Sequence, residues 1–203
     1  MAKMLRPAVT TAFVLAVAGL LSGCAGMVIG AGATTATAAS EERGLEGAVD
    51  DVKIRAEINH LWFQKDVDMY RQVTLTIKEG RVLLTGTVPT PDARVEAVRL
   101  AWQPAGVREV INEIKIDSGD SGFGDYARDV AISQKMKTAL LFDKEIRNIN
   151  YTVDVNEAVI YLMGIAQSDA ELERVLAYAR DISGVRGVVN YVRLKNDPRR
   201  NGS

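Results

Sequence analysis

Val82-Leu83-Leu84-Thr85-Gly86 and Ile160-Tyr161-Leu162-Met163-Gly164 are one strand written twice, 78 residues apart. Two further blocks keep the same displacement. Asp51-Val52-x-Ile54 returns as Asp129-Val130-x-Ile132, and Gly106-Val107-Arg108-Glu109-Val110-Ile111-Asn112 returns as Gly184-Val185-Arg186-Gly187-Val188-Val189-Asn190. Three blocks at one spacing make an internal repeat, the mark of a small structural unit used twice.

Outward from these blocks, each copy reads helix, strand, strand, helix, strand. Ile54, Ile58, Leu61 and Trp62 recur at helical spacing, as do Ile132, Met136, Ala139 and Leu140. Val73, Leu75 and Ile77 alternate with Thr74 and Thr76, the period of a strand buried on one face. Glu79-Gly80 supplies a turn into the return strand. Pro89 and Pro91 end that strand, and Val95, Val98 and Trp102 form a second helical stripe before a last strand near residues 107–116. In the second copy the strands fall near 151–155, 159–164 and 185–194, with a helix near 170–182. A strand-helix-strand order requires a crossover, so the last two strands of each copy are parallel and the first two form an antiparallel hairpin. The fold class is α+β: two tandem α-β-β-α-β units, each a three-stranded mixed sheet with two helices on one face. At roughly 65 residues each core is marginal alone, so the two units are expected to support one another. Gly86 and Gly164 in the strands, with Gly106 and Gly184 at the start of the last blocks, read as backbone requirements rather than ligand contacts.

The 203-residue chain is 47% hydrophobic and 25% charged, a composition that buries a core over most of its length. Its net charge of −1 excludes a strongly basic nucleic-acid binder. One Cys excludes an internal disulfide framework, and one His removes the usual triads and histidine-based metal clusters. His60 sits beside a buried stripe and reads as a surface residue. No Walker A sequence or Gly-x-Ser-x-Gly elbow occurs, Gly30-x-Gly32 follows no strand, and Asp117, Asp120 and Asp125 lack the EF-hand pattern. The chain is expected to be no enzyme and to need no cofactor or metal.

The N-terminus reads as an address. Lys3 and Arg6 precede an uncharged run from Ala8 to Leu21, shorter than the roughly 20 apolar residues a membrane span needs. Leu21-Ser22-Gly23-Cys24 resembles the bacterial lipobox, in which the Cys is diacylated and becomes residue one. Each buried CH₂ of such a chain contributes about 0.8 kcal/mol, so two or three chains hold a protein firmly. Ala25 after the Cys, by resemblance to proteobacterial sorting rules, implies the outer membrane, with the protein on its periplasmic face. The expected organisation is a signal peptide over 1–23, a lipidated Cys and tether over 24–49, the first unit over 50–116, a Gly/Asp-rich linker over 117–126, the second unit over 127–196 and a polar tail over 197–203. The tether reads as flexible or, at Met27-Val28-Ile29, as a further contact with the lipid interface. Acid concentrates in the connectors: residues 25–50 and 117–126 each carry −3, whereas 51–116 and 127–196 each hold 10 basic and 9 acidic residues.

The repeat resembles the BON domain, a unit named for bacterial osmotic-stress and nodulation proteins. The residues that carry the likeness are Val82-Leu83-Leu84-x-Gly86 with Gly106-Val107-Arg108-x-Val110-x-Asn112-x-Ile114, and Ile160-Tyr161-Leu162-x-Gly164 with Ser183-Gly184-Val185-x-x-Val188. With the lipobox, the whole chain is similar to dual-BON outer-membrane lipoproteins. That resemblance implies an envelope protein that binds phospholipid, preferentially anionic, through the first helix of the second domain and supports outer-membrane integrity or stress tolerance. Carried onto this chain, the contact set is Tyr126, Lys135, Lys137, Leu141 and Phe142. Relatives can carry an aromatic near the start of this helix where Ala131 is small, and Tyr126 is the nearest aromatic. The two lysines also fit an ordinary solvated helix face. A second reading is a periplasmic adaptor that docks an envelope protein partner. Oligomeric state stays open.

Overall fold

The computed structural model describes residues 44–116 and 123–200, and the signal segment, Cys24 and most of the tether lie outside these described residues. The first unit comprises helices α1 (Gly44–Lys65) and α2 (Val67–Gln72), strands β1 (Val73–Lys78) and β2 (Arg81–Val88), helix α3 (Pro91–Ala101) and the short strands β3 (Glu109–Asn112) and β4 (Lys115–Ile116). The second comprises α4 (Phe123–Phe142), β5 (Tyr151–Asn156), β6 (Val159–Ala166), α5 (Asp169–Asp181) and β7 (Gly187–Leu194). Helix α1 begins six residues before the expected start of the first unit, and α4 takes up residues 123–126 of the expected linker. The α2 turn was not expected; Asp66 caps it by accepting from the Asp68 amide at 2.8 Å.

Both sheets have the expected connectivity. β1 runs antiparallel to β2, and β2 runs parallel to β3 and then to β4. β5 pairs antiparallel with β6, which pairs parallel with β7 over eight residues. The third position of the first sheet is split after Asn112, whose side chain accepts from the Ile114 amide at 3.1 Å. The Asn190 side chain makes the same bond to the Val192 amide at 2.9 Å, yet β7 continues unbroken.

Ile54, Ile58 and Trp62 on α1 are buried against the first sheet, and the Trp62 indole donates to the Ala97 carbonyl at 3.1 Å. The α3 stripe is rotated from the expected one. Val95 and Trp102 are exposed, and Ala97, Leu100 and Ala101 turn inward instead. Small side chains on that face let α3 come close to the bulk of Trp62. Ile132, Met136 and Leu140 do the corresponding work on α4, packing with Val175, Leu176 and Ala179 of α5.

The strands also depart from one-face burial. Thr76 is buried along with Leu75 and Ile77, and β6 is buried from Ile160 to Ala166. A third apolar cluster explains this: Leu83 of β2 meets Tyr161 and Met163 of β6, with Ile111, Val189 and Tyr191 around them. The helix-free faces of the two sheets pack back to back, making one four-layered body in which the helices lie outside. Polar contacts rim the seam. Thr85 donates to the Asp154 carboxylate, Asn156 donates to the Gly86 carbonyl at 3.2 Å, and Lys115 pairs with Glu157 at 2.8 Å.

Each hairpin turn is held by the aspartate that opens the repeat. Glu79-Gly80 and Glu157-Ala158 all have positive φ, between 51° and 71°, the backbone of a tight two-residue hairpin. Asp51 accepts from the amides of Glu79 and Gly80 at 3.0 and 2.9 Å, and Asp129 accepts from those of Glu157 and Ala158 at 2.7 and 2.8 Å. The second turn contains no glycine, so Asp129 there holds a strained backbone as well as tying helix to sheet. Asp129→Ala, which removes two charge-assisted bonds, is expected to lower the unfolding free energy by about 2–3 kcal/mol in urea titrations, against less than about 0.5 kcal/mol for the surface change Lys137→Ala.

At Gly86 (φ +108°) a Cβ would stand 2.2 Å from the Gln72 carbonyl oxygen, and at Gly164 it would stand equally close to that of Asn150. The chain entering β1 and β5 thus passes directly over a bare backbone. Gly86→Ala is expected to destabilise the protein by about 2–4 kcal/mol in the same titrations.

Candidate functional site

Helix α4 carries the expected contact residues, and its position follows from its buried stripe. With Ile132, Met136 and Leu140 facing the sheet, a turn of 100° per residue places Ala127, Ala131, Gln134 and Thr138 along the outer midline. All four are exposed. Lys135 and Lys137, two residues apart, fall about 160° apart, on opposite flanks of that midline. Leu141 and Phe142 lie between the flanks at the helix end, 62% and 78% exposed. The outer surface of α4 is therefore a shallow strip of small residues, bordered by one lysine on each side and ending in two bare apolar side chains.

Charge along the helix is uneven. Asp125 pairs with Arg128 at 2.6 Å and Asp129 is engaged by the hairpin turn, so the acids are spent in the first two turns. From Val130 to Phe142 there is no acid. Among the described residues neither Lys135 nor Lys137 forms an ion pair.

The corner after Phe142 is fixed. The Asp143 carboxylate accepts from the Tyr178 hydroxyl at 2.9 Å and from the Glu145 amide at 2.9 Å, and lies 3.7 Å from Arg174. Chiefly the Glu145 amide, with help from Tyr178 and Arg174 and against partial burial, holds that carboxyl below its ordinary range. The same hydrogen bond pushes the Tyr178 hydroxyl up. Glu171 braces the neighbouring loop by accepting from the amides of Arg147 and Gln167 at 2.9 and 2.7 Å. Leu141 and Phe142 consequently project from a braced helix end.

Tyr126 stands apart from this group. It is 69% exposed at the other end of α4, about 22 Å along the axis from Leu141. It lines, with Val130 and Ser133, a groove shared with Gln72, Gly86 and Thr87 of the first unit. The structure brings Lys135, Lys137, Leu141 and Phe142 to one surface and leaves Tyr126 at the domain seam. Gly106 and Gly184 sit in the turns before β3 and β7, with φ of +94° and +93°. His60 is exposed. Among the described residues no helix is long and apolar enough to cross a membrane, and no group of three or more His, Cys, Asp or Glu is placed to hold a metal ion. The paired aspartates Asp51 and Asp129 escaped functional reading, although their return at the 78-residue spacing was the available signal.

Known proteins share this organisation. The chain matches the BON domain family over residues 50–118 and 128–196. It is 42% identical over 148 residues to a protein of Anaplasma centrale described as an uncharacterized protein in the gshII 5′ region, covering 73% of this chain and 97% of that one. It is 29% identical over 188 residues to the outer membrane lipoprotein DolP of Haemophilus influenzae, covering 91% and 95% of the two chains. To the osmotically-inducible protein Y of Escherichia coli it is 26% identical over 148 residues, covering 72% and 74%. The repeat, the two α-β-β-α-β units and this match coincide along the chain, which belongs to the BON domain family and carries two copies in tandem.

Proposed function

We propose that this protein is a lipid-anchored component of the bacterial envelope. It is held at the periplasmic face of the outer membrane through Cys24, binds anionic phospholipid through α4 of its second domain, and supports outer-membrane integrity. The observation that carries this reading is the outer strip of α4: Lys135 and Lys137 on its flanks without carboxylate partners among the described residues, with Leu141 and Phe142 bare between them. Likeness to an outer membrane lipoprotein along 91% of the chain, and to an osmotically-inducible protein, supports the setting.

Magnitudes assign the parts different roles. Each lysine near an anionic surface contributes about 1 kcal/mol. Partial burial of Leu141 and Phe142 adds roughly 1–2 kcal/mol each. The sum, on the order of 5 kcal/mol, gives only sub-millimolar affinity for α4 alone. Such a contact becomes effective once an acyl anchor confines the protein to the surface. Anchoring then supplies residence, and α4 supplies orientation and headgroup preference.

The chain from Ser40 onward, mixed with phosphatidylglycerol vesicles, is expected to co-sediment, with less bound as salt rises and little bound to phosphatidylcholine. Lys135→Glu/Lys137→Glu should lower partitioning at least tenfold, and Leu141→Ser/Phe142→Ser by a similar factor. Equal sedimentation with both lipids, untouched by charge reversal, would defeat the proposal. A stoichiometric cross-linked protein partner in cells, with no vesicle binding, would favour the adaptor reading.

Anchoring is tested separately by fractionation of cells. Cys24→Ser is expected to move the protein from the membrane to the soluble periplasmic fraction. Retention of the unacylated variant on the membrane would overturn the anchor.

A further inference from the structure

Away from α4, five arginines converge on one cavity of about 220 Å³ at the seam between the domains: Arg81, Arg108, Arg193, Arg199 and Arg200. They arrive from the hairpin turn of the first domain, the start of β3, the end of β7 and the 3₁₀ turn that follows it. Among the described residues, the acids paired with them are Glu79, Glu109 and Asp197, three carboxylates against five guanidinium groups.

The pairing is uneven. Arg200 is matched by Glu79 at 2.7 Å, and Arg199 by Asp197 at 2.6 Å. On the floor of the cavity a single oxygen of Glu109 serves two guanidinium groups, Arg81 at 2.7 Å and Arg193 at 3.0 Å, whose side chains are only 8% and 15% exposed. Arg108, exposed at the rim, faces the Arg200 carbonyl at 3.5 Å and forms no ion pair among the described residues. Burial and the neighbouring Arg81 charge push Arg193 below the ordinary guanidinium value, whereas Glu109 acts against that shift. Each of the two also donates to one backbone carbonyl, Arg81 to that of Tyr191 at 2.9 Å and Arg193 to that of Arg199 at 3.1 Å, but two largely buried like charges sharing one carboxylate remain a costly arrangement for a purely structural clamp.

We propose that this arginine cavity is a binding site for a phosphate group, distinct from the lipid contact on α4. A phosphate monoester supplies about −1.5 to −2 charges and several strong acceptor oxygens, which matches both the charge excess and the forked donors of guanidinium groups. The cavity lies at the turn end of the β1–β2 hairpin, whereas the Tyr126 groove of α4 adjoins the opposite end at Gln72 and Gly86, about 20 Å away along the strands. No residue of α4 lines the cavity, so a phosphate can be held there while the outer surface of α4 is engaged elsewhere. The phosphate comes either from a lipid headgroup or from a free phosphorylated compound.

The test uses full-length protein in a neutral detergent, titrated with inorganic phosphate against chloride at matched ionic strength and followed by calorimetry and thermal unfolding. Phosphate is expected to bind and to raise the melting temperature by a few degrees. Arg108→Gln, at an exposed position, should bind at least tenfold more weakly while melting, without phosphate, within about a degree of the native chain. Glu109→Gln should melt lower yet bind phosphate more tightly, a gain that a purely structural ion-pair network does not produce. No preference for phosphate over chloride, equal binding by Arg108→Gln, or weaker binding by Glu109→Gln would overturn the proposal. Vesicles containing phosphatidic acid, whose headgroup is a phosphate monoester, identify the source. A tenfold loss of vesicle binding in Arg108→Gln assigns the phosphate to lipid, and unchanged vesicle binding beside lost phosphate binding assigns it to a free compound.

Discussion

The back-to-back contact of two sheets is the interaction on which the rest of the molecule depends. A mixed sheet with helices on one side leaves its other side bare, and a unit of roughly 70 residues has little core to spare for that exposure. Leu83 against Tyr161 and Met163 closes both bare faces at once. The burial has an electrostatic signature. The Tyr161 hydroxyl is pushed up to about 12, first by desolvation and then by the carboxylates of Glu113, Glu157 and Asp154 around the seam. Tyr191 is raised for similar reasons and donates to Glu113 across the same boundary. Ionised phenols have no place there, and neutral ones give the joint both apolar area and directed hydrogen bonds.

Much of this was legible in the residues, and the misses lie where packing, not local spacing, decides burial. Helix and strand order, the parallel crossovers and the hairpin positions all follow from periodicities within a copy, where local spacing decides the outcome. Packing between copies does not. Thr76 looks like the outward half of an alternation because a hydroxyl suits solvent, yet the second sheet covers it. The runs Val82-Leu83-Leu84 and Ile160-Tyr161-Leu162-Met163 carried the contrary signal, since continuous apolar strands are buried on both sides. The α3 stripe failed differently. Val95 and Trp102 carry more apolar surface than alanines, but the position opposite Trp62 favours small volume, and Ala97 and Ala101 face inward.

The candidate surface on α4 was readable as a set of residues but not as a geometry. Two lysines separated by one residue suggest a single basic spot, and only the helix phase, set by Ile132, Met136 and Leu140, parts them to either side of a strip. The arginine cavity was invisible beforehand, because Arg81 and Arg193 stand 112 residues apart and meet only once the sheets stack. Resemblance between copies located the scaffold, and the differences between copies distinguish the surfaces. The first helix of copy one has Arg55, bonded to the Leu75 carbonyl, and Glu57 where copy two has Ser133 and Lys135.

The shared seam also changes what deletion experiments report. Because each domain forms one wall of the other's interior, a chain cut between residues 117 and 122 is not two modules but two halves, each with an uncovered apolar sheet. Such a half would aggregate or pair with a copy of itself across the bare face, as an isologous dimer. Loss of activity on removing one domain would then describe the stickiness of the remnant, and only point changes on the outer helices isolate the contribution of a single copy.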